Sequence, residues 1–134
     1  MVLKRFSKRT WFALWVFVVA LVAFIATYAY MQRPSITREE AIEISTNSER
    51  IQSIWHIIED ADWRTVKADY LNTTRIHELK EGNPQYYDFL PYAHGVWLVE
   101  WDIGPSKYGP AITIVIHYIY EKSGEILYET GASL

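Results

Sequence analysis

The sequence predicts an α+β protein in two parts. One transmembrane helix near the N-terminus is followed by a small domain in which a helix packs on an antiparallel β-sheet. Three observations predict this. Residues 11–31 contain no charged side chain, and residues 37–60 carry apolar side chains at helical spacing. From residue 63 onward, apolar positions alternate in short runs, as they do in half-buried strands.

The uncharged run predicts a transmembrane helix over residues 10–32. As a helix, residues 11–31 extend about 31 Å, which matches the hydrocarbon thickness of a bilayer. Lipid offers no hydrogen-bond partners to the backbone, so an apolar run of this length has to be helical. Aromatic residues, which favour membrane interfaces, stand at both ends and are the predicted anchor residues: Trp11, Trp15, Tyr28 and Tyr30.

The basic residues set the predicted orientation. Lys4, Arg5, Lys8 and Arg9 precede the span, so the positive-inside rule places residues 1–9 in the cytoplasm. Residues 33–134 then form an extracytoplasmic domain at the cell membrane. A cleaved signal peptide is the alternative, but its apolar core covers about 7–15 residues and is shorter than this run. We therefore expect an uncleaved single-pass anchor.

Composition limits the outer domain further. The chain has no cysteine, so no disulfide stabilises the domain and its core has to suffice. All 16 acidic residues follow position 34, together with eight of the 13 basic ones, which gives this part a net charge of −8. An acidic domain repels phosphate backbones, and nucleic acid is therefore excluded as an expected partner.

The domain is expected to begin with a helix that runs to about Asp60. Thr37-Arg38-Glu39-Glu40 has the pattern of a capping box. The polar run 45–48 contains weak helix formers and favours a break and restart there. Apolar or small side chains recur behind the cap at alternating spacings of three and four: Ala41, Ile44, Ser48, Ile51, Trp55 and Ile58.

Four strands are expected after the helix, over residues 65–71, 96–103, 111–121 and 126–130. In the second strand, Trp97, Val99, Trp101 and Ile103 share one face, with Glu100 and Asp102 on the other. In the third strand, one face carries Ile112, Ile114, Ile116, Tyr118 and Tyr120, with His117 opposite. Gly124 in the turn 122–125 then permits a hairpin to the last strand.

Two connections do not match a regular element. Residues 72–95 form a long expected loop with two prolines, and residues 104–110 form a shorter loop rich in Gly and Pro. Loops of such length in compact domains are often functional. The first loop contains a group of aromatic side chains close to two tryptophans of the next strand. Since aromatic anchors dominate protein interfaces, they form the predicted partner surface: Tyr86, Tyr87, Phe89, Tyr92, Trp97 and Trp101. The alternatives are packing over the sheet and contact with lipid headgroups.

Two stretches resemble the PepSY domain family. Ile-Thr-Arg-Glu-Glu-Ala-Ile-Glu-Ile at 36–44 is similar to the helix that opens such domains. His-Tyr-Ile-Tyr-Glu-Lys-Ser-Gly-Glu-Ile-Leu at 117–127 is similar to their closing hairpin. The resemblance covers 35–60 loosely and 95–130 better. It implies a PepSY/cystatin-like fold with an inhibitory, chaperoning or regulatory role outside the membrane.

Residues with catalytic or ligand-binding chemistry form no recognisable motif. The four histidines, His56, His77, His94 and His117, lack the spacing of a helical ligand pair, so neither a metal site nor a cofactor is expected. Glu100 and Asp102 are expected to face water. Ser106-Lys107 is expected to form a plain turn, because adjacent residues in such a loop give no nucleophile–base geometry. Asn72-Thr73-Thr74 matches a glycosylation sequon.

These observations favour a non-catalytic, membrane-anchored binding module. The PepSY resemblance implies that it modulates an exported peptidase or another envelope protein. The alternative is a small accessory subunit of a membrane complex, in which the anchor itself makes the main contact. Small residues in the span, such as Ala20 and Ala23, would allow close helix packing there. A membrane-tethered enzyme is the least favoured class, since no nucleophile, base and oxyanion site are assembled in the sequence.

Overall fold

The computed structural model describes residues 7–31 and 35–132, in two units that divide after residue 33. The first unit contains the helix α1, Lys8–Met31. This helix is long and apolar enough to cross a membrane, by length and composition. The predicted anchor residues Trp11, Trp15, Tyr28 and Tyr30 are exposed along it. The helix begins two residues earlier than predicted, and the predicted end at residue 32 lies outside the described residues.

The second unit combines five helices with one antiparallel sheet in its described part. The helices are α2 (Arg38–Thr46), α3 (Glu49–Ser53), α4 (Trp55–Asp60), α5 (Thr73–Gly82) and α6 (Pro84–Tyr87). The strands are β1 (Arg64–Leu71), β2 (Val96–Ile103), β3 (Ile112–Tyr120) and β4 (Ile126–Gly131). They pair in chain order, β1-β2-β3-β4, each antiparallel to the next. The α+β prediction is confirmed, and the strand bounds agree with the predicted ones to within one residue.

The N-cap half of the predicted capping box is present at the start of α2, and Glu40 reaches back to the hydroxyl of Thr37. The Glu40 amide donates to Thr37 Oγ1 over 3.1 Å, and the Thr37 hydroxyl donates to Glu40 Oε1 over 3.3 Å. The expected break occurs after Thr46, where Ser48 caps α3 by accepting from the Ile51 amide. A second break at Ile54, which the periodicity did not predict, separates α3 from α4.

One face of the sheet, called the inner face below, packs against α2, α3 and α4. Ala41, Ile51 and Ile58 from the helices are fully or almost fully buried there. The strand β2 contributes the four residues predicted to share a face: Trp97, Val99, Trp101 and Ile103. Because one continuous cluster joins helices and sheet, this interface is the main core of the domain.

The core side of β3 differs from its predicted pattern. Val115, His117 and Ile119 lie opposite Trp101, Val99 and Trp97 of β2, so they lie on the inner face. His117 is fully buried, and the tyrosines of the expected apolar face lie on the outer face. A register shift between Trp101 and Asp102 interrupts the simple alternation.

The expected loop over residues 72–95 was wrong for residues 73–82 and 84–87, which form α5 and α6. Asn72 caps α5 by accepting from the Arg75 amide over 2.8 Å. Pro84 occupies the first turn of α6, where its missing N–H costs no hydrogen bond. The sequence therefore contained a start signal for each helix, and the sequon at Asn72 coincides with the first.

A chain of buried hydrogen bonds crosses the main core. Trp101 Nε1 donates to Ser45 Oγ over 2.8 Å, and Ser45 Oγ lies 2.7 Å from His117 Nδ1. His117 Nε2 lies 2.6 Å from Glu129 Oε2 on β4. A neutral imidazole with its proton on Nε2 satisfies every atom: the serine hydroxyl donates to Nδ1, and Nε2–H donates to the carboxylate. These hydrogen bonds thus connect α2 to three strands.

Replacing Ser45 tests how much this chain of buried hydrogen bonds stabilises the domain. Ser45→Ala leaves the indole N–H and His117 Nδ1 buried without partners, so we expect the free energy of unfolding to fall by about 2–4 kcal/mol. Chemical denaturation of the full chain in detergent, followed by tryptophan fluorescence, measures it. Ser53→Ala is the matched control, since the exposed Ser53 hydroxyl donates to the Arg50 carbonyl within its own helix. A loss of similar size in both variants contradicts the expectation.

Candidate functional site

The outer face of the sheet carries a second, smaller hydrophobic cluster that holds α5 and α6. Its buried members are Ile76 of α5, Val96 of β2, and Leu90, which lies between α6 and β2. Half-buried apolar side chains surround them: Leu71, Leu79, Tyr87, Phe89, Tyr118, Tyr120 and Leu127. The segment with the predicted partner residues is therefore fixed against one half of the outer face.

Lys80 fixes the turn that follows α6. Its buried ammonium donates to the carbonyl oxygens of Leu90 and, over 3.3 Å, of Asp88. The same nitrogen lies 4.0 Å from the ring centre of Tyr92. A buried cation needs several acceptors to offset its lost hydration, and here two carbonyls and a ring face supply them. This turn is consequently a rigid base for the aromatic side chains around it.

Tyr87, Phe89, Tyr118 and Tyr128 pack together on this side. Together with the exposed Tyr86 and Tyr92 of the adjoining segment, they are called the aromatic surface below. Phe89 stacks on Tyr128 with ring centres 4.6 Å apart and meets Tyr118 edge-on at 4.9 Å. Tyr86 is 67% exposed and Tyr92 is 62% exposed. Of the six residues predicted to bind a partner, Tyr86, Tyr87, Phe89 and Tyr92 lie in this region, and their binding of a partner stays a prediction. The strand residues Tyr118 and Tyr128 were missed, although their opposition across the hairpin follows from its register.

Trp97 and Trp101 do not belong to the aromatic surface. Their side chains lie on the inner face and are only 8% and 3% exposed. Trp97 Nε1 donates to the Ile36 carbonyl over 3.1 Å, and Trp101 meets Trp55 edge-on. The prediction grouped them with the loop because they are close in sequence, but strand alternation directs odd-numbered residues of β2 into the core.

Glu121, which the sequence did not single out as a site, is a buried acceptor at the end of β3. Its carboxylate accepts from the Ser35 amide over 2.9 Å and from the Gly95 amide over 3.0 Å. Burial, followed by the charge and hydrogen bonding of Glu121, raises the pKa of Tyr70 to about 12. A Cβ at position 95 would lie 2.2 Å from the Tyr70 hydroxyl, so this close approach requires glycine. Glu121 therefore connects Ser35, at the start of the domain, to Gly95, which directly precedes β2.

The other half of the outer face carries the Glu100–Asp102 pair. Burial, then the hydrogen bond and charge of Asp102, raise the pKa of Glu100. Burial alone would raise the pKa of Asp102, but hydrogen bonds from Thr113 and Glu100 and the charge of Lys67 lower it overall. Lys67 Nζ lies 3.5 Å from Asp102 and 3.9 Å from Glu100. The two carboxyls are partly buried and paired, where simple exposure to water was expected.

The buried hydrogen-bond chain contains a serine, a histidine and a glutamate in contact, the residue types of a hydrolase triad. Ser45 and His117 are fully buried, and the serine oxygen already accepts from Trp101. A nucleophile has to reach its substrate and needs an oxyanion site beside it. In this position the three residues serve the packing of α2 on the sheet.

The remaining candidate residues lie apart from one another. His56 contacts Tyr108, His77 contacts Tyr92, and His94 lies beside Tyr120. Within residues 7–31 and 35–132, no three His, Asp or Glu side chains are grouped so that they could hold a metal ion.

Ser106 and Lys107 form the predicted turn. The amide of Ser106 donates to the Gly109 carbonyl, and the amide of Gly109 donates back to the Ser106 carbonyl. Lys107 contacts Asp60 of α4 through its amide over 3.1 Å and its ammonium over 3.6 Å. The turn is thereby tied to the helical layer, and Ser106 has no base beside it in these contacts.

The chain was compared with known proteins in three ways. No family model matches it, and no curated protein and no solved structure matches it either. The PepSY resemblance accordingly stays a prediction from the two quoted stretches.

The pKa directions on the outer face predict an effect of pH on Glu100→Gln. A raised pKa means that ionised Glu100 costs free energy in the folded state, so the cost appears as pH rises above its ordinary value of 4.5. Glutamine removes this cost and still donates to Asp102. We expect it to stabilise the protein at pH 7 by no more than about 1 kcal/mol, and to lose this advantage below pH 4.

Thermal unfolding of the full chain between pH 3.5 and 8 measures this effect. Glu125→Gln in the exposed β3–β4 turn is the matched control, because it changes the net charge equally. Equal stabilisation by both variants would attribute the gain to net charge and contradict the pairing argument.

Proposed function

We propose that this protein is a membrane-anchored, non-catalytic binding module whose domain lies outside the membrane and regulates an exported peptidase or another envelope protein. The observation that carries the proposal is the aromatic surface. Tyr92 follows a turn that a buried lysine holds, Tyr86 belongs to the adjoining helix α6, and both side chains are more than 60% exposed. Exposed aromatic rings on a rigid base are typical of binding hot spots, because they bury large areas at low entropic cost.

The rest of the chain supports the same proposal. The helix α1 is suited to anchoring by its length and apolar composition. Its basic N-terminal flank favours an outward-facing C-terminal domain by the positive-inside rule. The PepSY-like stretches favour a regulatory role for that domain, and the burial of Ser45 and His117 makes nucleophilic catalysis there unfavourable.

Photo-crosslinking in native membranes tests the proposal. A photoreactive amino acid at Tyr86 or Tyr92 is expected to capture the same partner, an exported peptidase or another envelope protein identified by mass spectrometry. Tyr108 is the matched control, since it is 47% exposed but contacts His56 of the helical layer. Capture of integral membrane subunits alone favours the accessory-subunit alternative, and equal capture at all three positions contradicts the proposed surface.

Alanine substitution gives an independent measure of the same surface. The double variant Tyr86→Ala/Tyr92→Ala is expected to weaken capture of the partner, probed at Tyr128, by about tenfold or more. Tyr86 is exposed, so Tyr86→Ala is expected to change the free energy of unfolding by only about 0.5 kcal/mol. Tyr92→Ala also removes the ring face over the buried Lys80 ammonium, so we expect it to cost about 1 kcal/mol more. Undiminished capture by the folded double variant would show that these tyrosines contribute little to binding.

A further inference from the structure

The strand β1 presents an open edge of the sheet. It pairs with β2 in one uninterrupted register from Arg64 to Leu71, and its sequence contains neither Pro nor Gly. Among the described residues, its other side receives no backbone hydrogen bond from any helix or loop. The opposite edge, β4, is shorter, has a register shift and ends at Gly131 with φ +156°. Long, regular, unpaired edges readily accept another strand.

Two of the three charged side chains of β1, those of Lys67 and Arg64, are directed over the sheet. The ammonium of Lys67 lies across β2, within 4 Å of Glu100 and Asp102. The guanidinium of Arg64 lies over the ring of Trp55, 5.1 Å from its centre. These contacts leave the backbone of β1 accessible. The Lys67 side chain is 63% exposed, so it has room to turn towards a carboxylate on a strand added beside β1.

We propose that β1 binds β1 of a second copy of this chain, antiparallel and about a two-fold axis through Ala68. A two-fold axis that relates two neighbouring antiparallel strands is perpendicular to the sheet. Residues that lie opposite each other across the axis therefore have their side chains on the same face of the sheet. Centred on Ala68, the axis places Lys67 opposite Asp69 of the second copy, and Asp69 opposite its Lys67. On the inner face it places Val66 opposite Tyr70, again twice. Opposite charges and an aromatic beside a β-branched side chain are both favourable cross-strand pairs.

Charge selects this register over its neighbours. Symmetric pairing centred on Lys67 places two ammonium groups opposite each other, and pairing centred on Asp69 places two carboxylates opposite each other. Directly opposed like charges are destabilising. Pairing centred on Val66 overlaps only residues 64–68 and includes no opposite charges. The pairing centred on Ala68 overlaps seven residues, 65–71, and is the self-complementary one.

A unique thiol reports this pairing in the full chain. Because the sequence has no cysteine, Ala68→Cys introduces one thiol, and a short bismaleimide can join only two copies. We expect a covalent dimer for the full chain in detergent micelles. Thr130→Cys on the opposite edge strand is the matched control and is expected to give no more product than random collision. Absence of a dimer from Ala68→Cys overturns the proposal.

A charge exchange tests the register itself, with Ala68→Cys in every chain. Lys67→Glu or Asp69→Lys alone places like charges opposite each other, and we expect the covalent dimer to fall by about tenfold in each case. Mixing these two variants restores opposite charges at both positions, and the dimer is expected to return as the mixed species, which also shows that both chains are folded. Persistence of either homodimer, or no recovery on mixing, overturns the proposal.

A milder variant keeps the test decisive if a charge-reversed chain unfolds. Asp69→Asn leaves Lys67 with its carboxylate neighbours in the same chain and removes the charge that faces the second copy. Within the chain it also removes one of the charges that raise the pKa of Glu100. We expect a decrease of a few-fold in the covalent dimer at low salt and a smaller decrease at high salt. An unchanged yield at both salt concentrations overturns the register.

Discussion

Trp101 donates to Ser45, Ser45 bonds to His117, and His117 bonds to Glu129, so one polar chain joins α2 to three strands. The apolar contacts around it are not directional, and alone they would allow α2 to slide or rotate on the sheet. A shifted helix would leave an indole N–H and an imidazole nitrogen buried without partners. This hydrogen-bond chain therefore fixes where α2 lies on the sheet, and the rest of the domain is arranged from that position.

The two faces of the sheet consequently have different uses. The inner face is covered by helices and stabilises a domain that has no disulfide. The outer face needs only partial cover, and α5 and α6 occupy the half where the tyrosines of β3 lie. Glu121 joins this half to the segment at Ser35 through backbone amides. A partner that binds the aromatic surface would thus contact a layer connected to the start of the domain.

Local signals in the sequence predicted most of the elements. The Thr37 cap, the alternation of β2 and the Gly124 hairpin each depend on neighbours in the chain, and each is present. The face of β3 was not predictable, because burying His117 is favourable only when Ser45 and Glu129 arrive from distant elements. The same applies to the carboxylate of Glu121. The helix α5 was predictable in principle, since Asn72 is a strong cap, but a sequon and two prolines obscured that signal.

Pairing through β1 would also change how the aromatic surface works. The two-fold axis is perpendicular to the sheet, so both copies present their outer faces on the same side of one eight-stranded sheet. Two aromatic surfaces would then face a partner together, and binding at one would raise the effective concentration at the other. Anchoring in a membrane would favour such pairing further, because it confines the copies to one layer. A modest edge contact and a modest aromatic contact would in this way reinforce each other.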